Sequence, residues 1–118
     1  MSETTILSEV KETLDFAVAE DDGFDDRLLL ELDGLIGELS QLTYVKADFV
    51  LTKDSKYEQL LKVNDANLLR LVKTFINLSL RIVFDPPVGS VLTSLEKSRD
   101  RTAVRITMQK ERYNSYEP

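Results

Sequence analysis

A chain of 118 residues, 42% hydrophobic and 31% charged, has apolar content for one domain and too little length for two ordinary ones. Without cysteine or histidine it has no disulfide, thiolate nucleophile, imidazole base or common zinc ligand, which leaves only carboxylates for a hard cation or an acid–base pair. The net charge of −6 hides a split, because residues 1–61 carry 15 acidic and 5 basic side chains while residues 62–118 carry 6 and 10; such halves either pair internally or meet head to tail between copies.

Met1-Ser2-Glu3-Thr4-Thr5 is acidic and lacks the basic start and apolar run of a signal peptide, which predicts action in an intracellular compartment or a particle assembled in one. No segment has the length of uncharged apolar sequence that a membrane span needs, so no membrane partner is expected. Leu7, Val10, Leu14 and Ala17 mark one face of a first helix from Ile6 to about Val18. The acidic run Ala19-Glu20-Asp21-Asp22-Gly23 reads as a loop capping the next helix or as a cation loop. It lacks the ligand alternation of an EF-hand, and Asp25 and Asp26 suit the first turn of a helix, where the dipole favours negative charge.

A second helix is predicted over about Phe24–Leu42 from the stripe Phe24, Leu28, Leu29, Leu32, Leu35, Ile36, Leu39 and Leu42. Gly34 and Gly37 on this helix mark either close approach by another helix or tolerated surface positions, each costing about 1 kcal/mol against alanine. Over 43–54 the β-branched and aromatic residues Tyr44, Val45, Phe49 and Val50, mixed with charges, predict an irregular segment or β-hairpin. Ser55 and Glu58 fit a capping box that would open a short helix to about Val63.

Asn64 or Asp65 caps a strongly apolar helix, Leu68–Phe84, with Arg70, Lys73, Asn77 and Arg81 on one polar stripe. That stripe is either the one solvated face of the helix or an interface to an acidic surface. Phe84-Asp85-Pro86-Pro87 ends the helix, since proline lacks a donor and disfavours a helical residue before it. The elbow is either a plain stop or a fixed joint that orients a second helical segment from Val88. From Thr102 the alternation of Val104, Ile106 and Met108 is strand-like and competes with a continuing helix to about Tyr113; in both readings the segment projects from the core. The fold class expected is all-α, about four main helices in one domain, with core 1–96 and a C-terminal arm 97–118. No phosphate loop, nucleophile elbow or paired metal ligands occur, so catalytic, metal and cofactor-binding residues are expected to be absent.

Several strings taken together carry a resemblance. Ile6-Leu7-Ser8-Glu9-Val10-Lys11, an acidic turn before Phe24-Asp25, Leu39-Ser40-Gln41-Leu42, Val72-Lys73-Thr74-Phe75-Ile76 and Phe84-Asp85-Pro86-Pro87 resemble the head-tail connector proteins of tailed bacteriophages, also called adaptor or head-completion proteins. The resemblance covers most of residues 6–100, and its most specific part is the lysine-bearing helix closed by Phe-Asp-Pro-Pro. It implies a non-enzymatic virion protein, assembled in the host cytoplasm, that forms a homo-oligomeric ring at the head-tail interface. The ring would lie beneath the portal protein, extend the DNA channel without sequence-specific DNA binding, and receive a tail-side connector or stopper protein.

On that reading the subunit interface sets Asp25, Asp26 and Glu31 against Arg70, Lys73 and Arg81 of the next copy. The elbow Phe84, Asp85, Pro86 and Pro87 aims the arm, and the portal-binding candidates are Arg99, Arg101, Arg105, Ile106, Arg112 and Tyr113. The alternative from another class is a DNA-binding packaging accessory such as a small terminase subunit, using the same C-terminal arginines.

Overall fold

The computed structural model describes residues 4–14 and 23–116, the side chains of 113–116 excepted. The later part of the first predicted helix and the acidic run 19–22 lie outside the described residues. Within them the chain is all-α, with four α-helices.

Helix α1 (Ile6–Glu12) begins at a reciprocal cap in which the Ser8 N–H donates to Thr5 Oγ1 at 3.1 Å and the Thr5 N–H donates to Ser8 Oγ at 3.0 Å. Two orphan donors are thus satisfied in a single turn. Ile6, Leu7 and Val10 face the core. Helix α2 (Phe24–Leu42) has the predicted bounds, and buries Phe24, Leu28, Leu32, Leu35, Ile36 and Leu39. Asp25 and Asp26 occupy its first turn.

Residues 43–65 form an irregular segment closed by one antiparallel bridge between Val45 and Leu61. The Lys46 N–H donates to the Leu60 carbonyl at 2.9 Å and the Lys62 N–H to the Tyr44 carbonyl at 2.8 Å. Here the structure corrects the predicted short helix, which shrinks to a 3-10 turn at Tyr57–Gln59. The reason lies at Ser55, whose hydroxyl accepts from the Thr52 N–H at 2.8 Å and whose carbonyl accepts from the Ile6 N–H at 2.8 Å. Its hydroxyl serves the turn before it and does not cap a helix after it. The polar partner at that turn is Gln59, which accepts from the Lys56 N–H at 2.8 Å.

Helix α3 (Ala66–Phe84) is capped by Asp65, whose Oδ1 accepts from the Asn67 and Leu68 N–H groups at 3.0 and 3.3 Å. Leu68, Val72, Phe75, Ile76, Ser79 and Leu80 are buried. The helix ends at Asp85, with φ −146° and ψ 60°, out of the helical region as its proline neighbour requires. After Pro86, Pro87 and Val88 comes Gly89 at φ +64°, a left-handed conformation that glycine adopts without steric cost.

Helix α4 (Ser90–Tyr116) then runs unbroken, which decides the helix–strand competition over 102–113. Ile106 is fully buried and Thr102 nearly so. Gln109 Nε2 donates to Asp65 Oδ2 at 2.9 Å and Lys110 Nζ lies 5.1 Å from the Tyr44 ring centroid. The end of α4 therefore returns to the start of α3, and the corner reverses the chain into an antiparallel hairpin. This corrects the expected projection: from Lys97 to Lys110 the segment is docked, and only the last turns of α4 run past the cap of α3. Helix α1 packs on both α2 and α3, and α4 lies along α3. Among the described residues, no helix is long and apolar enough to cross a membrane.

Candidate interaction surfaces

The residues predicted to meet between subunits divide into two groups. Lys11 Nζ reaches Asp25 Oδ1 at 2.8 Å, and Lys73 Nζ reaches Glu9 Oε1 at 3.3 Å while lying 4.9 Å from the centroid of the Tyr57 ring. Asp25 and Lys73 are thus engaged inside the subunit, each in a partly exposed ion pair. Asp26, Arg70 and Arg81 stand exposed, with no ion pair among the described residues. Glu31 lines a groove of about 500 Å³ between α2, α3 and α4, and Arg99 lines the same groove. The fold brings this predicted interface acid and this predicted arm base to one place.

Beneath Lys73, burial pushes the Tyr57 phenol well above its ordinary value and the Glu9 charge adds to the shift, so the hydroxyl stays protonated. That hydroxyl is buried with no hydrogen-bond partner. It belongs to the core under α1, not to a reactive site. Among the described residues no three carboxylates come together as they would around a metal ion.

Along α4 the helical rotation of about 100° per residue sorts the predicted arm residues. Thr102 and Ile106 turn inward, so Ile106 is a core residue; this corrects its place among the portal contacts. Lys97, Arg101, Arg105 and Arg112 stand exposed on the outer side, with Val104 and Met108 between them at 59% and 61% exposure. Among the described residues none of these four cations makes an ion pair, whereas Arg99 pairs with Asp100 at 3.3 Å. The Tyr113 side chain lies outside the described residues.

The outer face of α2 has the opposite sign. Asp26, Asp33 and Glu38 are exposed around Leu30, itself 75% exposed. Side chains added at Gly34 and Gly37 would meet nothing within 4 Å, so among the described residues no helix approaches there. The sequence reading placed Asp26 at an interface but not Leu30, Asp33 or Glu38, since it weighed the buried stripe and the glycines and not the lone leucine beside them. A leucine outside an otherwise complete apolar stripe was the available signal.

At the corner, Phe84 packs edge to face on Phe24, ring centroids 5.1 Å apart and planes at 82°. Asp85 closes α3 by donating its N–H to the Arg81 carbonyl at 2.9 Å. Around them Val83, Val88 and Val91 are 49%, 88% and 52% exposed. The elbow residues thus have two roles, Phe84 anchoring to α2 while the prolines carry the chain over an apolar rim.

A family model described as phage connector protein matches residues 6–113, all but the two ends of the chain. No curated protein and no solved structure matches.

Proposed function

The chain belongs to the phage connector protein family, and from that membership we propose that it acts as a ring adaptor between the portal and the tail-side connector or stopper of a tailed phage. Its subunits would line and extend the DNA channel at the head-tail interface of the virion. The mechanism is contact, with no bond made or broken. Carrying this reading is the outer face of α4, where four cations without an ion pair among the described residues flank two exposed apolar side chains, on a helix anchored by Ile106 and Gln109. Such a face suits a protein surface better than solvent.

Portal contact falls to the last turns of α4. Beyond Lys110 the helix has six further residues to Tyr116, about 9 Å at the helical rise, and passes the cap of α3. A chain ending at Lys110 should fold with an unchanged far-ultraviolet spectrum and fail to co-purify with portal protein. Undiminished co-purification would contradict the assignment. A DNA-binding packaging accessory would use the α4 cations on phosphates, giving duplex affinity that falls steeply with salt. Electrophoretic shifts at 50 and 200 mM salt separate the two readings: the ring adaptor gives no salt-sensitive shift.

A further inference from the structure

We infer that the outer face of α4 is the seat for the outer face of α2 of a second copy of this chain. The inference rests on the ring reading and specifies how one copy meets the next. The seat is Lys97, Arg101, Val104, Arg105 and Met108; the occupant is Asp26, Leu30, Asp33 and Glu38. All nine are exposed.

Three observations bear on the match. The charges are complementary, three acids on one face against three bases on the other, and none of the six has an ion-pair partner among the described residues of its own subunit. Their lengths agree, because Asp26 to Glu38 and Lys97 to Met108 each span about 17 to 18 Å along a helix. Each face also presents apolar area with no partner in the subunit, Leu30 on one side and Val104 with Met108 on the other. Opposed charge gives orientation and encounter rate, and the apolar centre excludes water from it.

Symmetry gives the consequence. The two faces differ, so a copy cannot satisfy both with a single two-fold partner. Such a contact is heterologous: each copy offers one face forward and one back, and the chain of copies closes into a ring if the rotation allows. Asp25 and Lys73 take no part, because Lys11 and Glu9 already hold them. Portal contact beyond Lys110 is left free by this seating.

Because the chain has no cysteine, a single introduced thiol is unique. Leu30→Cys and Met108→Cys, both at exposed positions and checked for folding by circular dichroism, would be oxidised separately and as an equimolar mixture of full-length chains. The mixture should give a disulfide-linked dimer at least about tenfold above either variant alone, and Arg101→Glu with Arg105→Glu in the Met108→Cys chain should remove most of it. Adding Asp26→Lys with Asp33→Lys to the Leu30→Cys chain should restore it. Dimers from either variant alone, or a mixed yield no higher than theirs, overturn the seating. Sedimentation of the unmodified chain, alone and with portal protein, keeps the two readings apart: multimers without the mixed cross-link refute this interface and leave the ring, while no self-association in either condition refutes both.

Discussion

At the scale of single residues, the most informative side chains are those whose polarity conflicts with their place. Tyr57 is buried with an unpartnered hydroxyl, a desolvation cost of about 1 to 3 kcal/mol. Tyr57→Phe keeps the ring under Lys73 and removes that cost, so the variant should be as stable as the parent or about 1 kcal/mol more so in a urea melt. The pH dependence follows from the direction of the shift. Because the folded-state value is raised, stability from the neutral phenol is complete below the ordinary tyrosine range, near pH 10, and is lost as pH rises above it. Melts between pH 9 and 11 should show this alkaline loss in the parent and less of it in Tyr57→Phe. Lys73 and Arg70, one turn apart on α3, are distinguished by the same logic. Lys73→Glu breaks the Glu9 pair and places like charges together, which should cost about 1 kcal/mol, discounted for partial exposure. Arg70→Glu should leave the melt within about 0.5 kcal/mol of the parent.

At the scale of elements, α4 shows what the sequence could and could not convey. Val104, Ile106 and Met108 alternate as a strand would, yet steps of 200° around a helix put Ile106 inward and the other two outward. Two of the three residues in the helical stripe Thr102, Ile106 and Gln109 are polar, so an apolar periodicity was hard to see there. Ile106→Ala should cost about 2 to 4 kcal/mol in a thermal or urea melt, whereas Val104→Ala should cost less than about 0.5. Equal effects would mean that the face assignment is wrong. Helix α2, by contrast, was legible to its end residues because its stripe is fully apolar and Thr43 and Tyr44 break the period. The capping reading at Ser55 failed for a local reason, since a serine hydroxyl can serve the preceding turn as easily as the following helix. At the corner, Pro86→Ala with Pro87→Ala should keep the helical circular dichroism and loosen the α3–α4 reversal, lowering portal docking more than stability. A matched loss of both would make the corner a structural stop and nothing more.

At the scale of the whole molecule, the split of charge between the two halves has two outcomes in one fold. Part is settled internally where Lys73 of the second half meets Glu9 of the first, while Lys11 with Asp25 pairs charges within the acidic half itself. Further charge of each sign stands on the outer faces of two helices, acidic on α2 and basic on α4, with no ion pair there among the described residues. The all-α class was legible from composition and periodicity, and the family from its Phe-Asp-Pro-Pro corner with the lysine-bearing helix before it. Which charges were spent inside could not be read, because ion pairing depends on how α1 lies across α2 and α3, and no local pattern encodes that crossing. The central claim is that this chain works by assembling between portal and tail. It is tested most directly by measuring the mass of the purified protein under native conditions, alone and mixed with portal protein. The account predicts a closed multimer of this chain bound to the portal ring; a chain that stays monomeric and free beside the portal would contradict it.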